Sequence, residues 1–233
     1  VAVHCFSLSS TYRALVDAPT AGDAAVLGTV FTIEDSYYNK SRFFTIDVSS
    51  FPYALTAETR VVDTNDVFAP IAMDGQINCD KTVNLDLEGI ALSAMGGFWL
   101  CSEGAGTFDD PVRNITSNNL LIKVDNDGVI EQVVGLPVDV NAIQFRFGFE
   151  GVAEDGDHLV VAFQRAWNDE ANPRLGVYNK AHDMWKFLFY PLDTVESQNG
   201  GWVGLSEISP LGNGQFFVLE RDDQGKQNDW RWG

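Results

Sequence analysis

The stretch "NLDLEGIALSAMGGFWLCSEG", Asn84 to Gly104, sets two apolar runs on either side of a Gly-Gly pair. A carboxylate stands at each end, Glu88 before the first run and Glu103 after the second. Short runs rich in β-branched and aromatic residues, broken by glycines, read as two strands joined by a tight turn. The motif recurs. "LEGIA" at Leu87 to Ala91, "FEGVA" at Phe149 to Ala153 and "LSEIS" at Leu205 to Ser209 each place a glutamate among apolar residues: Glu88, Glu150 and Glu207. Each is followed by an apolar strand that closes on a second polar residue, Glu103, Gln164 in "LVVAFQR" or Glu220 in "FFVLERD". A degenerate earlier copy lies in "GTVFTIEDSYYNKSRFFTID", where Asp35 takes the second position and no glutamate takes the first.

Between these motifs there is almost nothing with a helical period. Runs such as "RFFTIDV", "NLLIKVD", "HLVVAFQ", "LGVYN", "WKFLFY" and "GQFFVLE" alternate with Gly, Asn and Asp clusters, so the chain reads as all-β. Asp127-Gly128 and Asn213-Gly214 are hairpin signals, because these residues accept the positive φ of tight primed turns. "DNDG" at Asp125 to Gly128 is a turn and not a calcium loop, since its Gly is fourth rather than sixth and no Glu follows at the twelfth place. A repeat of about 60 residues holding four antiparallel strands is the unit of a β-propeller blade. Four such blades, roughly 24–80, 81–140, 141–198 and 199–233, are expected to form one propeller domain spanning 1–233. The bracketing carboxylates would then meet at one mouth of the central channel.

The motifs "DLEGIA", "FWLCSEG", "GFEGVA", "AFQRAW", "GGWVGLSEI" and "VLERD", in this order and spacing from about Ala24 to Asp222, resemble the "esterase-like activity of phytase" family. That resemblance implies a propeller-like fold rich in Glu and Asp, with phosphoesterase or phosphodiester-hydrolysing activity. Complete propellers of this kind need about six or seven blades. A fragment, missing segments or a second chain completing the ring would each account for the four seen.

Composition bounds the chemistry. Hydrophobic residues make up 45% of the 233 positions, enough for a sizeable core. The formal net charge of −18 and the lack of any Lys/Arg run exclude a nucleic-acid partner and favour cations. No apolar stretch is long enough to span a bilayer as a helix. Cys5, Cys79 and Cys101 match no metal spacing and leave at least one cysteine unpaired within the chain. Asn39-Lys40-Ser41 and Asn114-Ile115-Thr116 fit the N-glycosylation acceptor pattern, and with the acidity they point to an exported protein, extracellular or periplasmic.

Carboxylates gathered in one channel favour a hard divalent cation with oxygen ligands, Ca²⁺ first and Mg²⁺ second. His4, His158 and His182 offer no zinc spacing. The expected ligands are Glu88, Glu103, Glu150, Glu207 and Glu220; Glu88, Glu150 and Glu207 are also the catalytic candidates, and Arg165 and Arg221 would hold a phosphate. The alternative is that these glutamates only cap strand ends and hold blades in register. Trp99, Trp167, Trp185 and Trp202 are expected to pack between blades rather than form a binding platform. No Ser-His-Asp arrangement and no phosphate loop is recognisable. A metal-dependent phosphoesterase or phosphodiesterase is therefore weighed against a non-catalytic, metal-stabilised propeller that binds a protein partner, with a lactonase-type hydrolase as a third reading.

Overall fold

A computed structural model describes residues 28–34, 39–195 and 201–222. It contains four antiparallel sheets among the described residues, each built from strands consecutive in sequence. The first holds β1 (Thr29–Ile33), β2 (Arg42–Asp47) and β3 (Ala54–Arg60). The second holds β4 (Leu87–Leu92), β5 (Phe98–Ser102), β6 (Leu120–Val124) and β7 (Ile130–Gly135). A single helical turn, α1 (Val138–Asn141), leads to the third: β8 (Phe149–Asp155), β9 (His158–Phe163), β10 (Arg174–Asn179) and β11 (Met184–Phe189). The fourth pairs β12 (Val203–Gly212) with β13 (Gln215–Asp222). This is the all-β, blade-by-blade architecture of a β-propeller. Asp35 and Cys5 lie outside the described residues.

The first strands of successive sheets are the ones that touch: β1 lies against β4, β4 against β8, and β8 against β12. Alternation along each strand then feeds two cores. In the second sheet Leu100 and Ile122 face the first sheet and join Phe43, Phe68 and Phe98. Their neighbours Trp99, Cys101 and Leu121 face the third sheet and join Val152, Phe163 and Trp167. A sheet buried on both faces reads as a continuous apolar run, which is why "FWLCS" and "LLIKV" are buried at every position. A third cluster, with Ala153, Val160, Leu205 and Ile208, fills the space between the third and fourth sheets. Burying one such side chain contributes roughly 1.5–3 kcal/mol.

The turns separate the two ends of the sheets. At one end lie tight turns, among them the two-residue Asn213-Gly214 loop, where both residues have positive φ, 56° and 73°. At the other end lie the long connections 103–119, 136–148 and 164–173. Loops carry recognition more often than turns do, and this second end is also where the repeated glutamates stand.

Candidate functional site

A β-bulge sets the position of each repeated carboxylate. In the second sheet Leu87 pairs with Ser102 and Gly89 with Cys101, leaving Glu88 as the extra residue. In the third sheet Phe149 pairs with Phe163 and Gly151 with Ala162, leaving Glu150 extra. A bulge bends the strand and re-aims its side chain, and here it turns two glutamates into the inter-sheet space, 7% and 3% exposed.

The fourth sheet departs from the expected register. Leu205 pairs with Glu220 and Glu207 with Leu219, so the bulged residue is Ser206. Glu207 therefore occupies the place of Gly89 and Gly151, one residue on from the true counterpart of Glu88. Arg221 lies opposite Gly204. That is the place of Glu103 and Gln164, whose N–H groups bond to Asp86 and Gly148 in the other sheets. Glu220 is one position away and points elsewhere: its carboxylate accepts from the Tyr190 hydroxyl at 2.9 Å and the Asp193 N–H at 3.0 Å.

The glycines explain how the shifted glutamate fits. A Cβ on Gly89 would lie 2.8 Å from Cys101 Sγ and 3.0 Å from Gly151 Cα, so β4 and β8 approach backbone to backbone. A Cβ on Gly151 would strike the Glu207 carboxylate and come 2.8 Å from Ile208 N. Glu207 thus lies across the bare backbone of the neighbouring sheet. Burial raises its carboxyl to about 9; the Ile208 N–H it accepts at 2.7 Å opposes this, and the charge of Glu150 adds to it. Near neutral pH Glu207 is a protonated acid.

Three carboxylates converge most closely. One oxygen each from Asp86, Glu88 and Glu103 lies within 4.8 Å of the others. Oxygens around a calcium ion at 2.3–2.6 Å lie at most about 5 Å apart, so the set fits such an ion in spacing and in donor type. Glu103 is held by the Gly148 N–H, 2.6 Å from its Oε1, across the seam between the second and third sheets. Next along the rim, Glu150 accepts a hydrogen bond from the Gln164 amide and lies 3.7 Å from Arg221. Cys101 registers the convergence. Burial pushes its thiol well up, and the charges of Glu207, Glu88, Glu150 and Glu103 all push it further. Cys79 and Cys101 are both free, the first exposed and the second buried.

The family model described as phytase-like, esterase-like activity of phytase, matches residues 21–231. The chain belongs to this family. Membership carries a hydrolase-type role. Comparisons with the curated proteins and with the solved structures gave no match.

In this phytase-like chain the two arginines expected at the site have different surroundings. Arg221 stands by Glu150, whereas Arg165 stacks between two rings, 4.9 Å from the Phe147 centroid and 4.6 Å from that of Trp202. Trp99 and Trp167 are buried between sheets, and Trp185 stacks on Phe187 while donating to the Gly135 carbonyl of the second sheet at 3.1 Å. Trp202 differs in meeting Arg165 at the loop end.

Sequence reasoning passed over three contributors. Asp86 precedes β4 where the other sheets have Gly148 and Gly204, so a search for repeated residues skips it. Asn119 is wholly buried, and its Oδ1 accepts from Gly104 N at 3.1 Å and Phe149 N at 2.9 Å, tying the second sheet to the third. Arg146 lies 4.2 Å over the Phe147 ring. Both sequon asparagines, Asn39 and Asn114, are exposed. Among the described residues no helix is long and apolar enough to cross a membrane.

Proposed function

We propose that the acidic mouth hydrolyses a phosphate ester with the aid of a divalent cation, Ca²⁺ or, as the alternative, Mg²⁺. The observation that carries this reading is the meeting of Asp86, Glu88 and Glu103 oxygens within 4.8 Å. These three would hold the cation, which when bound neutralises the rim for an anionic substrate and polarises a phosphoryl oxygen. The chain's own groups supply the proton transfers. Glu150 serves in this proposal as the base that takes a proton from the attacking water. Glu207, protonated near neutrality, gives its proton to the departing ester oxygen as the P–O bond breaks. Phosphate and an alcohol leave, and the proton passes from Glu150 back to Glu207 through solvent. Two carboxyl groups whose surroundings differ in this way make an acid–base pair. Export of the chain, with glycans at Asn39 and Asn114, belongs to the same proposal and is supported by the exposure of both side chains.

The test combines calcium titration by calorimetry with hydrolysis of p-nitrophenyl phosphate and bis(p-nitrophenyl) phosphate. Glu88→Gln should weaken calcium binding by about tenfold or more and remove turnover, whereas Glu150→Gln should keep the calcium and lose turnover. Unchanged binding and turnover in both variants would sink the proposal. A native chain that binds calcium tightly without turning over either ester would select the second reading, a cation-stabilised interaction module. That reading is favoured by one bond, Gly148 N–H to Glu103, which already fastens two sheets together.

A further inference from the structure

We infer that Asn119 is the positioning residue of the acidic mouth: one carboxamide sets the spacing between Glu103, on the cation side, and Glu150, on the side of the attacking water. Asn119 is wholly buried and stands at the entrance of β6. Its Oδ1 accepts two backbone N–H groups, from Gly104 at 3.1 Å and from Phe149 at 2.9 Å. The first belongs to the residue after Glu103, the second to the residue before Glu150. Gly148, which precedes Phe149, gives its own N–H to Glu103 Oε1 at 2.6 Å. Glu103, Gly104, Asn119, Phe149 and Gly148 therefore close a ring of bonds that crosses the seam between the second and third sheets twice.

The carboxamide fits there in one sense only. Two donors aimed at one atom require an oxygen, so Nδ2 points the other way and donates to Gln144 Oε1 at 3.3 Å. Gln144 is also wholly buried, and its Nε2 donates to the Ser117 carbonyl at 3.0 Å, which ties it back to the segment leading into β6. Two glycines make the room: a Cβ on Gly148 would strike Oδ1, and one on Gly104 would lie 2.6 Å from Nδ2. A simpler version stands at the preceding seam, where Oγ of the buried Ser41, just before β2, accepts the Leu85 N–H at 2.8 Å, one residue ahead of Asp86. Before β10 the place is taken by Pro173, which has no polar side-chain atom. These side-chain clasps thus flank the sheet that holds Asp86, Glu88 and Glu103. The Asn119 clasp couples the position of Glu103 to that of Glu150, and a displacement of about 1 Å at such groups costs on the order of 10²-fold in rate.

This inference rests on the phosphate-ester reading, and its test separates the two. The native chain, Asn119→Ala and Val161→Ala are compared by calcium titration calorimetry and by hydrolysis of bis(p-nitrophenyl) phosphate at saturating calcium, well below their thermal midpoints. Asn119→Ala should bind calcium about tenfold or more weakly and lose about tenfold or more in kcat with KM little changed, because it acts through the groups it holds. Val161 is buried in the core of the same seam, so Val161→Ala should lower the thermal midpoint yet keep native calcium affinity and kcat. Asn119→Ser, a milder change, takes over the comparison if the alanine variant does not fold, with an expected loss of about threefold or more in calcium affinity. Native calcium affinity in the folded Asn119 variant, or an equal loss in Val161→Ala, overturns the inference. A native chain that binds calcium without turnover overturns only the ester reading, and the calcium titrations then decide for Asn119; one that binds no calcium overturns both.

Discussion

Replacing Glu207 by Gln removes a titratable group while keeping the shape of the protonated acid, so its effect should depend on pH rather than on packing. In the folded chain the Glu207 carboxyl stands at about 9 against an ordinary value of 4.5. The folded state thus holds this proton more tightly than the unfolded state. The contribution is favourable below pH 4.5 and is lost as pH rises from there to about 9, beyond which no further loss occurs. The whole interval is worth about 6 kcal/mol at 1.36 kcal/mol per unit. Partial exposure of the side chain allows water to screen the charge, which brings the expected loss to roughly 2–4 kcal/mol. Urea unfolding of native and Glu207→Gln chains in EDTA at pH 5, 7 and 9 measures it. The two should be closely matched at pH 5, and the variant should gain on the native chain at pH 7 and again at pH 9. Parallel profiles across this range would refute the placement of Glu207 as a buried acid over Gly151.

Gly89→Ala should destabilise the chain by about 1–3 kcal/mol or more, because the added methyl meets Cys101 Sγ at 2.8 Å and the Gly151 backbone at 3.0 Å, and backbone cannot swing aside. Thermal unfolding checks this, with Gly156→Ala, where a Cβ meets nothing within 4 Å, showing the cost of positive φ alone. Asn119→Ala should cost about 2–4 kcal/mol, since it strands the buried N–H groups of Gly104 and Phe149. Amide hydrogen exchange should show the loss of protection at those two residues first.

The strands were legible because the central ones of the second and third sheets press apolar side chains into the cores on both faces, as "FWLCS" and "HLVVA" do. Asn213-Gly214 announced its hairpin because few other pairs accept positive φ twice. The register of the fourth sheet was not legible. A bulge is a two-for-one mismatch between strands, so it leaves no mark on one strand read alone, and "LSEIS" aligned its glutamate where the structure puts a glycine position. Repeat logic also hides what occurs once. Asp86 sits inside the "DLEGIA" motif, but Gly148 and Gly204 at the same place made it look like a strand entrance. Arg146 and Phe147 belong to a connection rather than a strand, and only the folded chain shows their ring contact.

The glycines of the two ends answer to different constraints. Gly89, Gly104, Gly148, Gly151 and Gly204 at the loop end are hemmed in by neighbouring atoms, as are Gly97 and Gly128 at the other, whereas the tight-turn glycines Gly96, Gly156, Gly212 and Gly214 border open space. For anyone handling the protein, this divides it into a working side and a handle. A dye, an affinity peptide or a surface tether inserted at Asp155–His158 or Gly212–Gln215 would project from the tight-turn end, away from the end where the repeated carboxylates stand. Immobilised that way, the chain would hold its long-loop end toward an incoming ligand in a single orientation.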